Sequence, residues 1–236
     1  MTEPAVKLVN NAFVCLADDR LVFSDVRQDR YRCLNRRSTQ AVLRLFPDLA
    51  PVGTLGDADC QDNNEELSGH VLRGLVQAGL LTEDEANGKA VAPPGILPAT
   101  DSVDMRASSS MPAFRYWVSF ARAAIVASAS FRVQSLQRIL RRVEVRKRRY
   151  AGAAANDLLE LVAVFHRLRP YYIREYLCRF DSLALIEFLA YHGCYPDWVF
   201  GVTAEPFTAH CWVQDGDCVL NDSADFVRRF TPIMAF

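Results

Sequence analysis

"CRFDSLALIEFLAYHG" spans Cys178–Gly193, and "DWVFGVTAEPFTAHCWVQDGDCVLND" follows at Asp197–Asp222. The first stretch has the pattern of an apolar helix that opens on a cysteine and stops at a glycine. The second changes to β-type runs, "DWVFGVTA", "HCWVQ" and "CVLND", with a "DGD" turn between the last two. A buried helix leading into a strand hairpin predicts an α+β domain. The cysteine at its first turn has two readings. Free cysteine often serves as a small buried hydrophobe. A helix N-terminus also favours the thiolate, through unpaired N–H groups and the macrodipole.

The neighbouring strands favour the second reading. Thiol catalysis needs a thiolate, an imidazole to share its proton, and a polar group to hold the ring. Cys178, His210 and Asp222 supply these types in that chain order. The backbone N–H of Cys178 can also contribute to an oxyanion hole. His210 is expected to open one strand and Asp222 to close the next. A three-residue loop at 215–217 places 210 directly opposite 222. A two-residue loop shifts the register by one and points them to opposite faces. Each residue also has a plainer role: His210 as a strand-edge histidine, Asp222 as a cap of the "NDS" turn. Cys211 alternates to the far face of its strand, and Cys194 and Cys218 read as core residues.

Upstream of this region lie three helical segments. Phe114, Trp117, Val118, Ala121, Ile125, Ser128 and Phe131 follow one face of the first. The second, "RILRRVEVRKRR", carries seven basic residues and one acidic residue from Arg138 to Arg149. Such a run is a solvated face or a landing strip for an acidic partner. The third, "AANDLLELVAVFHRL", ends before Pro170.

The segment 83–112 has four prolines, two glycines and no hydrophobic period, which predicts a linker. It separates domains expected at 1–85 and 113–236, with the linker at 86–112. In the first, "AFVCLA", "RLVFSD" and "DRYRCLN" read as three strands, the first two joined tightly through "ADDR". Ser38 is placed to cap a helix "TQAVLRLF". A second helix carries Leu67, Val71, Leu75 and Ala78 at helical spacing, with Gly79 as its C-terminal cap. The result is a small winged-helix-like module without a catalytic constellation.

Half of the 236 residues are apolar, 23% are charged and the net charge is −1. This composition suits a globular chain and gives no field for nucleic acid or a membrane surface. Residues 1–82 carry no basic surplus, which argues against DNA binding by the winged-helix shape. The longest apolar run, Trp117–Phe131, contains Arg122 and is short for a membrane span. The first residues lack the charged and apolar regions of a signal peptide. Seven scattered cysteines without CxxC spacing fit a reducing, cytoplasmic setting. No HExxH, GxxxxGK[ST], GxGxxG or GxSxG is present, so no metal or cofactor is expected.

Cys178, Ser182-Leu183-Ala184-Leu185, Pro206-Phe207, Ala209-His210, Trp212-Val213 and Leu220-Asn221-Asp222 together resemble the B proteins of lasso-peptide biosynthesis. Those are papain/transglutaminase-like cysteine proteases. The match is close over about the last 65 residues. The first 85 residues resemble the PqqD-type domain that recognises precursor peptides. The resemblance implies a leader peptidase with a Cys178–His210–Asp222 triad and no cofactor. Its partners would be the leader region of a ribosomal precursor and a separate asparagine-synthetase-like lasso cyclase that closes the macrolactam. An open edge strand would take the leader by β-addition, with Tyr31, Leu34, Leu67 and Val71 as groove residues. Asp181 departs from the family pattern, where a basic residue or proline often precedes the serine. Two other classes remain open: an acyltransferase using the same three residues, and a scaffold that binds peptide without chemistry.

Overall fold

The computed structural model describes residues 6–49, 61–84, 86, 88–103, 112–150, 158–172 and 175–236. The chain divides into two compact units. The first is Met1–Pro94 with Val202–Thr208 and Thr231–Met234; the second is Gly95–Gly201 with Ala209–Phe230 and Ala235–Phe236.

The first unit is small and strand-rich. Strand β1 (Lys7–Val9) is followed by β2 (Ala12–Ala17), β3 (Arg20–Asp25) and β4 (Arg30–Cys33). β2, β3 and β4 form an antiparallel sheet in that order. Ala17 pairs with Arg20, so Asp18 and Asp19 alone make the loop, at φ 48° and 59°. Two left-handed residues give the turn whose twist matches the flanking strands, and aspartate tolerates that backbone. Helix α1 (Arg36–Leu43) is capped by Asn35, whose Oδ1 accepts from Ser38 N at 2.8 Å. The expected cap, Ser38, sits inside the first turn: Asn35 is the last extended residue, so its side chain reaches the free N–H groups.

Helix α2 (Gln61–Gln77) ends at Gly79, φ +69°. Gly79 N donates to Val76 O and Leu80 N to Leu75 O, and Leu75 and Leu80 are both buried. This is the paired closure that a left-handed glycine permits. A second sheet, β5-β1-β6, adds β5 (Leu81–Thr82) and β6 (Gly88–Lys89). Strands of two or three residues are too short to show a period, so the sequence reading misses all three. The core joins Leu8, Val14, Leu21, Phe23, Val42 and Leu75.

The second unit contains α3 (Phe114–Val133), α4 (Leu136–Tyr150), α5 (Leu158–Leu168) and α6 (Cys178–Tyr191). α6 buries Phe180, Leu183, Leu185, Ile186, Phe188 and Leu189 and packs on α3 and α5. It closes as α2 does, with Gly193 at φ +82° and bonds from Gly193 N to Ala190 O and Cys194 N to Leu189 O. α3 corrects the expectation. It buries Phe120, Ala123, Ala124 and Ala127, whereas Phe114 and Ile125 are 81% and 66% exposed. The small-residue face lets α3 approach α6 closely, and that outweighs the larger side chains on the other face.

The basic helix is neither a plain solvated face nor a free strip. Arg142 and Arg146 both pair with Glu187 of α6, at 3.0 and 2.7 Å, and Lys147 pairs with Asp197. Beyond α6 come β8 (Asp197–Ala204), β9 (Phe207–Asp215), β10 (Cys218–Val219), the short helix α7 (Ala224–Val227) and β11 (Thr231–Ala235). With β7 (Asp101–Ser102) they form a sheet in the order β11-β8-β9-β10-β7. β6 and β7 both lie in the segment expected as a linker. Among the described residues, no helix is long and apolar enough to cross a membrane.

Candidate active site

The hairpin that carries His210 has a two-residue loop. Cys218 pairs with Asp215 and Val219 with Gln214, leaving only Gly216 and Asp217 between the strands. This register places 210 opposite 223, which should separate His210 from Asp222. They nonetheless meet, with His210 Nε2 donating to Asp222 Oδ2 at 2.7 Å. The expectation that Asp222 closes a strand is therefore corrected. β10 stops at Val219, and a bend over 220–222 leaves the ladder before Asp222 is reached. Once the chain leaves the ladder, the period-2 rule no longer sets which way a side chain points. Asp222 also does what its plainer reading foresaw: Oδ1 accepts from Ser223 N at 2.8 Å.

The imidazole spends Nε2 on Asp222, so Nδ1 remains for the sulfur. Cys178 is the sulfur that acts on this ring, and each of the two groups favours the charged form of the other. Aromatic rings enclose the imidazole, with Phe226 and Phe230 both at 5.2 Å between centroids and Trp212 at 6.2 Å. Burial works against a positive ring. The hydrogen bond to Asp222, then the bond and charge of Cys178, outweigh it and raise the His210 pKa from 6.5 to about 9.

For Cys178, a hydrogen bond from the Cys211 thiol favours the thiolate against burial. The His210 bond and charge and the Cys211 backbone N–H add to it, and the pKa falls from 9.0 to about 4. Cys211 holds its own proton because it is fully buried, which pushes its pKa well up. Cys211 is buried against α6: its Sγ lies 3.9 Å from Ser182 Oγ. It is therefore a neighbour of the thiolate, which strand alternation alone does not show.

The start of α6 is held by a buried arginine. Arg169 is 2% exposed. Its Nε pairs with Asp181 Oδ1, and its other nitrogens donate to Tyr172 O at 3.0 Å and Glu175 O at 3.2 Å. Asp181 Oδ2 accepts from Leu177 N at 2.7 Å. One ion pair thus anchors both the approach to Cys178 and the first turn of its helix. Asp181 thus faces this arginine. As the first helical residue, Cys178 has a backbone N–H without an intrahelical acceptor, as an oxyanion donor requires.

The reading of the sequence had no signal for Arg169, Phe226 or Phe230, because each acts through tertiary contact. Ser182 and Asn221 lie in the quoted motifs, but nothing local told their part. Asn221 Nδ2 donates to Ser182 Oγ at 3.0 Å, and its Oδ1 accepts from Val213 N at 2.7 Å.

The four expected groove residues lie in the first unit. Tyr31 is in β4, an outer strand of its sheet, and its ring stands 5.7 Å from that of Phe207. Tyr31 also lines a pocket of about 90 Å³ with Asp25, Gln28, Arg30, Arg32 and Leu80. Leu34 and Val71 pack on the unit's core, and Leu67 is half-buried on α2. The pocket therefore gathers Tyr31 without the other three. Among the described residues, no group of three or more His, Cys, Asp or Glu could hold a metal.

Comparison with known families gives one match: residues 121–235 fit the model of the Transglutaminase-like superfamily. No curated protein and no solved structure matches the chain. The superfamily includes cysteine proteases and acyltransferases. The helix, the hairpin and the three polar side chains described above all fall within the residues, 121–235, that match the Transglutaminase-like superfamily.

Proposed function

We propose that the chain is a cysteine peptidase that removes the leader from a ribosomally made lasso-peptide precursor. The observation that carries the chemistry is the 2.7 Å contact of His210 with Asp222, with Cys178 acting on the same ring inside the residues that match the Transglutaminase-like superfamily. The Cys178 thiolate attacks the scissile carbonyl carbon, and a C–S bond forms. The imidazolium gives its proton to the departing amine nitrogen as the C–N bond breaks. His210 then takes a proton from water, the hydroxide adds to the thioester, and the thiolate leaves with the carboxylic acid released. Asp222 keeps the ring oriented and stabilises its charged form.

The leader half of the proposal rests on the first 85 residues. The outer edge of β4 is suited to an added peptide strand, and Tyr31, Leu34, Leu67 and Val71 are the proposed contacts. Residues 113–236 are the proposed peptidase part. The freed core would pass to an asparagine-synthetase-like cyclase. No cofactor enters this scheme.

Mass spectrometry of a candidate precursor incubated with the purified chain tests the proposal. A leader-sized product that disappears in Cys178→Ala, with precursor binding retained, is the expected result. Mass gain by an added amine, rather than hydrolysis, would assign an acyltransferase instead. Binding without any product would leave a scaffold.

A further inference from the structure

The next rung of the β9–β10 ladder would join Val213 and Leu220. Half of it forms: Leu220 N donates to Val213 O at 2.8 Å. The carbonyl of Leu220 turns instead to α5, where His166 Nε2 donates to it at 2.7 Å. Val213 N then donates to the side-chain Oδ1 of Asn221. A side-chain carbonyl has taken the place of a main-chain one. The other end of the same amide reaches Ser182, which is fully buried one turn after Cys178 and donates to Cys211 O at 3.4 Å. Asn221 thus touches the strand of His210 and the helix of Cys178, and it immediately precedes Asp222.

We propose that Asn221 is a positioning residue: its amide ends the β9–β10 ladder, holds the bend that carries Asp222 onto His210, and ties that bend to the helix of Cys178 through Ser182. The proposal rests on the Cys178–His210–Asp222 reading above. A half-buried amide with both ends bonded to fixed partners has one preferred orientation, because leaving either end unpaired is costly. The bend is therefore held by bonds on two sides. Among the described residues, the titratable groups that act on His210 are Cys178 from α6 and Asp222 from the bend, and the rings of Trp212, Phe226 and Phe230 lie beside it.

The test needs no substrate. The chain has four histidines, so the imidazole Cε1–H signals can be followed by NMR and His210 assigned with His210→Ala. Asp222→Ala should lower the His210 midpoint from about 9 by roughly 1–3 pH units. Asn221→Ala should lower it in the same way, and Asn221→Ala/Asp222→Ala should go no lower than Asp222→Ala. If circular dichroism shows Asn221→Ala unfolded, Asn221→Ser, too short to bridge, takes its place with the same expectation. A residue that only supports the fold would lower the melting temperature and leave the midpoint unmoved, which overturns the proposal. Additive shifts in the double variant overturn it too. If Asp222→Ala moves the midpoint and the Asn221 variants do not, only the role of Asn221 falls. If Asp222→Ala also leaves it unmoved, the triad reading falls with it.

Discussion

Two hairpins in this chain share a two-residue loop and differ in what happens next. In β2–β3 the ladder runs on without a fault from Ala17–Arg20 to Ala12–Asp25. In β9–β10 it stops after two pairs, at Val219–Gln214. The unbroken ladder keeps one register throughout, and its strands and turn could be read from residue type. The broken one puts Asp222 where alternation says it should not be. The difference teaches that regular pairing builds the frame, whereas the candidate chemistry sits where pairing is interrupted and side chains take over main-chain bonds.

The largest expected effect comes from the interrupted hairpin. Asp222→Ala should slow single-turnover cleavage roughly 10²–10⁴-fold while the chain stays folded. Asp222→Asn, whose amide oxygen can still accept from Nε2, should lose less. A wild-type rate for Asp222→Ala would reduce this residue to its bond with Ser223 and erase the contrast between the hairpins.

Next comes Arg169→Ala, which leaves Asp181 buried beside no cation. Removing one partner of a buried pair costs roughly 3–5 kcal/mol, read as a fall in the urea midpoint. In the regular hairpin's unit the Arg20–Glu205 pair is exposed, so breaking it should cost far less. Replacing both Arg169 and Asp181 by apolar residues should restore part of the stability, which separates the ion pair from simple packing.

The pH dependence should be bell-shaped. Cys178 is depressed to about 4, so the thiolate is lost as pH falls through that value. His210 is raised to about 9, so the imidazolium is lost as pH rises through that value. The ion pair, and with it the rate of cleavage, should hold between these limits. In Asp222→Ala the upper limit should move down, because the carboxylate that raises His210 is gone. Cys178 alkylation by a thiol reagent between pH 4 and 6 checks the lower limb, because an ordinary thiol at 9.0 would react little there.

The smallest effect belongs to the regular hairpin. Asp19→Val puts a β-branched residue at φ 59° on an exposed turn. It should cost about 1–2 kcal/mol and leave the His210 titration unchanged. A change in that titration would mean that the two hairpins are coupled rather than merely different.

Much of the frame could be read in advance because its causes are local. Gly79 and Gly193 end their helices by accepting a positive φ, and Asp18-Asp19 turn the first hairpin for the same reason. The three residue types at 178, 210 and 222 were also legible, since thiol chemistry needs them in any fold. What local pattern could not reach was the buried side of α3, where small residues win by close approach to α6. Nor could it find Arg169 beneath Asp181, Glu187 beneath the basic helix, or the asparagine that displaces a main-chain carbonyl. Each of these depends on a partner elsewhere in the chain, from 8 residues for Asn221–Val213 to 45 for Arg142–Glu187. Sequence determined which residues could ionise, turn or cap; only the tertiary structure, in which Asn221 and His166 take up the next main-chain groups of the ladder, decided that Asp222 would leave it and face His210.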